Sequence, residues 1–363
     1  MVRYGLIGSG MMGQEHIRTI ALMEGAEVTA LADPDEGMRT RARALQGGAA
    51  RVFADYRDML SADVCDVYLI ASPNDAHHAA LVDAMPANKP ILCEKPMCVT
   101  VEDCRQIVAA QARRSAPLWV AMEYRYMPPV QRLMAELDKG TAGRPAMMAI
   151  REHRFPFLEK VGDWNRFSRR TGGTLVEKCC HFWDLMRLVL KSDPVRVYAS
   201  GAMDFNHMDE RYDGAAPDIL DNAFVILDFA SGARGMLDLC MFAEGSYWQE
   251  VISVTGQKAR IDACVPGPAR FAPDGRERHA RIVVSDRATK RQQAEDVPVD
   301  ASILAAGDHH GSTYFQHQRF LECVRAGGGR PEVTAQDGLW SVMVGAAAER
   351  SARTGQAIEI GKP

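Results

Sequence analysis

The chain has 363 residues, which suits two domains better than one core. Hydrophobic residues make up 47% of it and charged residues 25%, as in an ordinary globular protein. The formal net charge of −4 gives no general attraction to nucleic acid, and no apolar run approaches the ~18 residues that span a bilayer.

Met1-Val2-Arg3-Tyr4 leads straight into a strand without a signal-peptide pattern, so a cytoplasmic location is expected. The nine cysteines are scattered and form no C-x-x-C pair, which argues against a disulfide framework and a zinc site. Cys179-Cys180-His181 is not read as a metal site either, because adjacent helical side chains point about 100° apart.

The elements follow in chain order. Apolar strands are expected at Val2–Ile7, Glu27–Ala32, Val64–Ala71, Pro90–Cys93 and Leu118–Met122. Helical patterns lie between them near Met12–Leu22, Pro34–Leu45, Ala76–Ala84 and Val101–Arg113. This alternation is the signature of a doubly wound parallel sheet, assigned to residues 1–123. From residue 124 to 363 the pattern changes. Strands follow one another at Ala146–His153, Val195–Ser200, Ala223–Phe229, Ala233–Met241 and Val251–Thr255, with one strong helix near Gly173–Leu190. Pro266–Gly275 reads as a loop and His279–Asp296 as a charged, solvated edge. Helices near Thr313–Arg325 and Ala335–Thr354 close the chain. The fold class is therefore α/β: a Rossmann domain, then an α+β domain with a large, mainly antiparallel open sheet. Helices are expected on one face of that sheet and a sister subunit on the other.

Gly8-Ser9-Gly10-Met11-Met12-Gly13 fits G-x-G-x-x-G, follows a strand and opens a helix. In that context Gly8 makes the tight turn, Gly10 admits the pyrophosphate, and Gly13 lets helix and strand pack closely. The helix N-terminus then holds the pyrophosphate. Asp33 ends the next strand and can accept hydrogen bonds from ribose hydroxyls while repelling a 2′-phosphate, so NAD is expected rather than NADP. Ser72, Asn74 and His77 follow the strand Val64–Ala71 at the same edge and are expected to contact cofactor.

Glu94-Lys95-Pro96 follows the strand Pro90–Cys93. Lys95 can polarise a substrate hydroxyl, and Glu94 can lie beside the nicotinamide. Glu177, His181 and Asp184 recur at i, i+4 and i+7 on the expected helix, so Glu177 is expected to hold His181 as a general base.

With these residues in view, the chain resembles the Gfo/Idh/MocA family, which includes glucose–fructose oxidoreductase and inositol dehydrogenases. The resemblance rests on Gly8–Gly13, Pro73-Asn74 with His77, Glu94-Lys95-Pro96, the 172–184 segment, and Asp337-Gly338 through Gly355. It implies catalytic roles for Lys95 and His181, and assembly into dimers or tetramers through the second domain's sheet. The family usually has Asp where this chain has Glu177.

The stretch Arg151–Arg170 is basic and leads into the His181 segment. His153, Lys160, Trp164 and Arg166 within it, together with Tyr124, Arg125, Lys178 and His181, are expected to contact substrate. Guanidinium and ammonium groups there suit an anionic group on the substrate. The expected reaction is NAD-dependent oxidation of a secondary hydroxyl of a sugar, sugar derivative or cyclitol. The alternative is an NAD-dependent glycoside hydrolase that oxidises a ring hydroxyl transiently, acting on an anionic glycoside such as a sulfoquinovoside.

Overall fold

A computed structural model describes residues 1–272, 275–276 and 278–362. Of the loop expected at Pro266–Gly275, residues 273 and 274 therefore lie outside the described residues.

The first sheet contains β1 (Val2–Ile7), β2 (Ala26–Ala32), β3 (Arg51–Phe53), β4 (Val67–Ile70), β5 (Ile91–Cys93) and β6 (Leu118–Val120). All of its pairings are parallel, in the order β3-β2-β1-β4-β5-β6. The apolar strands are buried on both faces, as a sheet sandwiched by helices requires. The order reverses beside β1, so a crevice opens at the C-terminal ends of β1 and β4.

The second sheet contains β7 (Pro145–His153), β8 (Pro194–Ala202), β9 (Asn222–Phe229), β10 (Arg234–Cys240), β11 (Trp248–Gly256), β12 (Ala259–Pro266), β13 (Ala280–Asp286), β14 (Gln292–Val297) and β15 (Ile358–Glu359). Its order is β14-β13-β12-β11-β7-β10-β9-β8-β15. Among the described residues only β7 and β10 pair in parallel; the rest are antiparallel. The charged stretch expected as an edge supplies the edge hairpin β13–β14, with Arg281 paired to Asp296 across it at 2.7 Å.

Alternation along β8, β9 and β10 sends Val197, Val225 and Leu237 into the core. It leaves Tyr198, Phe224, Ile226 and Met236 exposed on the opposite face. One copy of the chain leaves this apolar face open.

The chain does not divide cleanly in space at residue 123. Phe320 and Leu321 from the helix Ser312–Arg325, and Leu339 and Val342 from the helix Ala335–Thr354, join the core of the first sheet. Trp340 and Val344 of the latter helix join the core of the second. Gly338 allows this bridge, because a Cβ there would stand 3.1 Å from Met97 and Val120 side-chain atoms.

The single helix expected at Gly173–Leu190 is broken. A short turn Thr174–Glu177 is followed by the helix Cys180–Leu190, with Lys178 and Cys179 between them. At the break the Glu177 carbonyl accepts from side chains, Cys180 Sγ at 3.3 Å and Lys95 Nζ at 3.5 Å.

Candidate active site

A cleft of about 860 Å³ runs along the C-terminal edge of the parallel sheet. At one end are Asp33, Met38 and Arg41; at the other are Glu94, Lys95, Glu177, Lys160 and Trp164. Met11, Met12, Ser72, Asn74 and His77 lie between them.

The residues fit the dinucleotide that the glycine motif implies. Gly8 has φ +92°, and a Cβ on it would lie 2.5 Å from the Ser72 backbone nitrogen. A Cβ on Gly13 would lie 2.4 Å from the Gly8 carbonyl oxygen, so both positions need glycine. Over Gly10 there is open space, and no side chain caps the helix Met11–Ala21 that begins beside it. Its first N–H groups are therefore free to meet a phosphate. Ser72 Oγ and Asn74 Nδ2 are buried without hydrogen-bond partners among the described residues. Both border the cleft.

Asp33 accepts from the Ser9 backbone N–H at 2.7 Å and from the Asp35 N–H at 2.9 Å, so its carboxylate is fixed at the ribose end. Ser9 is itself buried and orients Asp33 rather than lining the cleft. His77 has a bracing role: its ring nitrogens face the Pro96 and Ser72 carbonyls at 2.8 and 3.0 Å, tying the loops after β4 and β5 together. If Asp33 meets the ribose hydroxyls there, NAD should bind at least about tenfold more tightly than NADP, a difference of about 1.4 kcal/mol. Fluorescence titration of both cofactors checks this, and equal affinities would remove the role given to Asp33.

At the inner end, burial opposes the charge on Lys95, but Cys180, Glu123, Glu94 and Glu177 around it outweigh that and raise its pKa. Lys95 therefore stays an ammonium. Glu94 is held by His16 Nε2 at 3.0 Å and by the Lys95 N–H at 3.2 Å. His16 in turn meets His317 at 2.9 Å, and His317 meets the Tyr4 hydroxyl at 3.2 Å. This buried chain joins the first domain to the helix Ser312–Arg325.

His181 is 1% exposed and stacks on Tyr124, ring centroids 4.1 Å apart and planes 6° apart. Burial, with the charges of Lys95 and Lys178, pushes its pKa well below 6.5, so the imidazole is neutral at pH 7. Tyr124 and Lys178, expected at the substrate, are buried and do not border the cleft. Lys178 donates to the Tyr124 hydroxyl at 2.7 Å and pairs with Glu152 at 2.7 Å.

Four further sequence-based expectations are corrected. Glu177 does not hold His181: the helix break turns it toward Lys160, 3.4 Å away. The carboxylate at His181 is Glu123, 3.6 Å from Nε2. Arg125 is buried against Asp184, with two contacts of 2.5 Å, and does not border the cleft. Arg166 is buried against Glu210 at 2.8 Å. His153 pairs with Asp238 at 3.0 Å, away from the cleft lining. Lys160 and Trp164 do border the cleft, with the Lys160 ammonium 4.3 Å from the Trp164 ring centre.

Sequence reasoning missed Glu123 and Glu15. His309 pairs with Glu15 at 2.9 Å. Burial alone would lower its pKa, but Glu15 outweighs burial and raises it to about 9. A signal for Glu123 existed: it stands just past the last parallel strand, at the crevice edge.

Residues 2–122 match the family profile described as "Oxidoreductase family, NAD-binding Rossmann fold", and residues 135–360 match "Oxidoreductase family, C-terminal alpha/beta domain". The chain belongs to the Gfo/Idh/MocA oxidoreductase family. It is an NAD-binding enzyme of that family. It is similar to inositol 2-dehydrogenase 1 of Saccharopolyspora erythraea, 29% identical over 84% of this chain and 86% of that protein. It is also similar to the myo-inositol 2-dehydrogenase of Thermotoga maritima, 25% identical over 99% and 98% of the two chains. Levoglucosan dehydrogenase, solved with NADH, shares the fold with a TM-score of 0.82 at 20% identity over the full length of both chains.

Proposed function

We propose that this Gfo/Idh/MocA protein oxidises a secondary hydroxyl of a neutral sugar, sugar derivative or cyclitol. The observation that carries this reading is Lys95 bordering the dinucleotide cleft beside Glu94 and Glu177, with its charge among those that lower the pKa of the buried His181 imidazole. Bound NAD accepts the hydride from the carbinol carbon. The Lys95 ammonium donates a hydrogen bond to the hydroxyl oxygen and stabilises negative charge as it develops there. His181 takes the hydroxyl proton, being neutral and therefore unprotonated at pH 7. Tyr124 fixes the plane of the ring, and Trp164 offers an apolar wall to a sugar face.

The basic stretch supports a neutral substrate rather than an anionic one. Its cations near the cleft are paired: Lys160 with Glu177, Arg154 with Glu152, Arg166 with Glu210 and Arg170 with Asp75. Buried oxygens of Glu123, Glu152, Glu177 and Glu250 lack donors among the described residues. A polyol supplies hydroxyl donors, whereas an anion would add repulsion. The test compares inositols and aldoses with the matching uronates and sugar phosphates, following NADH. We expect kcat/KM at least about tenfold higher for neutral members. A clear preference for the anionic members would contradict the substrate class.

A further inference from the structure

We propose that Glu123 is the carboxylate partner of His181 and receives the substrate's hydroxyl proton from that imidazole, a role the helix spacing assigns to Glu177. The inference rests on the dehydrogenase reading above and extends it to the fate of the proton.

The geometry separates the two glutamates. Glu177 Oε1 faces Lys160 at 3.4 Å, and its backbone carbonyl faces Lys95. Glu123 Oε1 faces His181 Nε2 at 3.6 Å. That is long for a hydrogen bond, but such contacts tighten when substrate fills a site. Both Glu123 oxygens are buried without a donor among the described residues, and so is His181 Nδ1. A buried carboxylate without donors is costly, and a site that keeps one has a use for it. With Glu123 on one ring nitrogen, the free nitrogen is the one left to meet the hydroxyl.

The step balances. The substrate O–H bond breaks and an imidazole N–H bond forms, while the opposite ring nitrogen gives its proton to Glu123. The hydride goes to NAD, which is the oxidant. His181 cannot keep the proton well, because burial and the neighbouring lysines disfavour the imidazolium. Glu123 can. The charged groups around it come from every element packed there. Glu15 lies on the helix Met11–Ala21, Glu94 and Lys95 follow β5, His181 lies on the helix Cys180–Leu190, and His309 precedes the helix Ser312–Arg325. Burial dominates, Glu94 and Glu15 add to it, and His309 and Lys95 oppose it, which leaves the Glu123 pKa at about 7. Because this pKa is raised, Glu123 is protonated below about pH 7 and can accept a proton above it.

Two measurements on the NAD-loaded enzyme test the proposal. The first is an infrared titration of buried protonated carboxyl groups between about pH 5.5 and 8.5. Glu250 and Glu349 also titrate at about 7, so the readout is the part of the band that one substitution removes. Glu123→Gln should remove a component with a midpoint near 7, and Glu177→Gln should leave it. The second is the pH profile of turnover. Wild type should gain activity through the same midpoint. Glu123→Gln should lose that limb and about 10²-fold in turnover above it, and Glu123→Asp should restore the limb. An unchanged infrared band in Glu123→Gln, or loss of the limb in Glu177→Gln instead, would overturn the proposal. If wild type oxidises no polyol, the dehydrogenase reading falls, and the infrared titration still decides whether Glu123 is the titrating group.

Discussion

Alanine at Lys95 or at His181 should lower turnover by about 10² or more, with NAD affinity changed only a few-fold. The two residues act on different atoms. In the proposed reaction Lys95 meets the oxygen on which negative charge develops, and its ammonium survives burial because Cys180, Glu123, Glu94 and Glu177 surround it. In that reaction His181 removes the proton. Both interactions strengthen on the way to the transition state, so kcat and kcat/KM should fall together while KM changes little. His181→Ala also removes the ring against which Tyr124 stacks, so His181→Asn belongs beside it as a variant that keeps most of the volume. Steady-state kinetics with NAD and the best neutral polyol is the measurement. A variant that keeps near-full turnover would show that side chain to be structural.

Arg125→Ala should destabilise the protein by about 3–5 kcal/mol, the usual consequence of removing one partner of a buried ion pair. Arg125 grips both Asp184 oxygens at 2.5 Å, donates to the Glu332 carbonyl at 2.7 Å and lies 3.7 Å from Asp337. It therefore ties the turn after β6 to the helices Cys180–Leu190 and Ala335–Thr354. Without it, Asp184 becomes an uncompensated carboxylate in a dry interior. Chemical denaturation of Arg125→Ala, with exposed Arg57→Ala as a control, reads the effect. Arg125→Met with Asp184→Leu should recover much of the loss, because an apolar pair leaves no buried charge. If Arg125→Ala were as stable as the control and instead raised KM, Arg125 would be a substrate contact, as its place in the sequence suggests.

The difference between those two readings of Arg125 shows what a sequence can carry. The parallel sheet was legible because its buried strands are continuous apolar runs separated by helical periodicity. The cofactor crevice was legible because glycine spacing and Asp33 encode a local backbone shape. Local signals also placed Lys95 at the cleft. β13 and β14 were hidden because an edge hairpin with exposed polar residues carries little hydrophobic alternation. The pairing of His181 was hidden for a different reason. Helical spacing links Glu177 to His181 only while the helix is continuous, and the turn at Lys178-Cys179 breaks it. The partner then comes from Glu123, 58 residues earlier in the chain. His309 meets Glu15 across most of the chain's length, and only the closed fold brings them together. Charge runs misled in the same way. The stretch from 151 to 170 is basic in sequence, but its partners Glu177, Glu210 and Asp75 lie outside it.

The central claim is that the hydride leaves the sugar for good. The most direct test incubates the enzyme and NAD with an aryl glycoside and the matching free sugar in deuterated water, following NADH and released phenol separately. The account predicts NADH formed in step with a keto sugar, with any glycosidic bond intact. Phenol released without NADH, with deuterium entering beside the anomeric carbon, would contradict it and would identify transient oxidation followed by elimination.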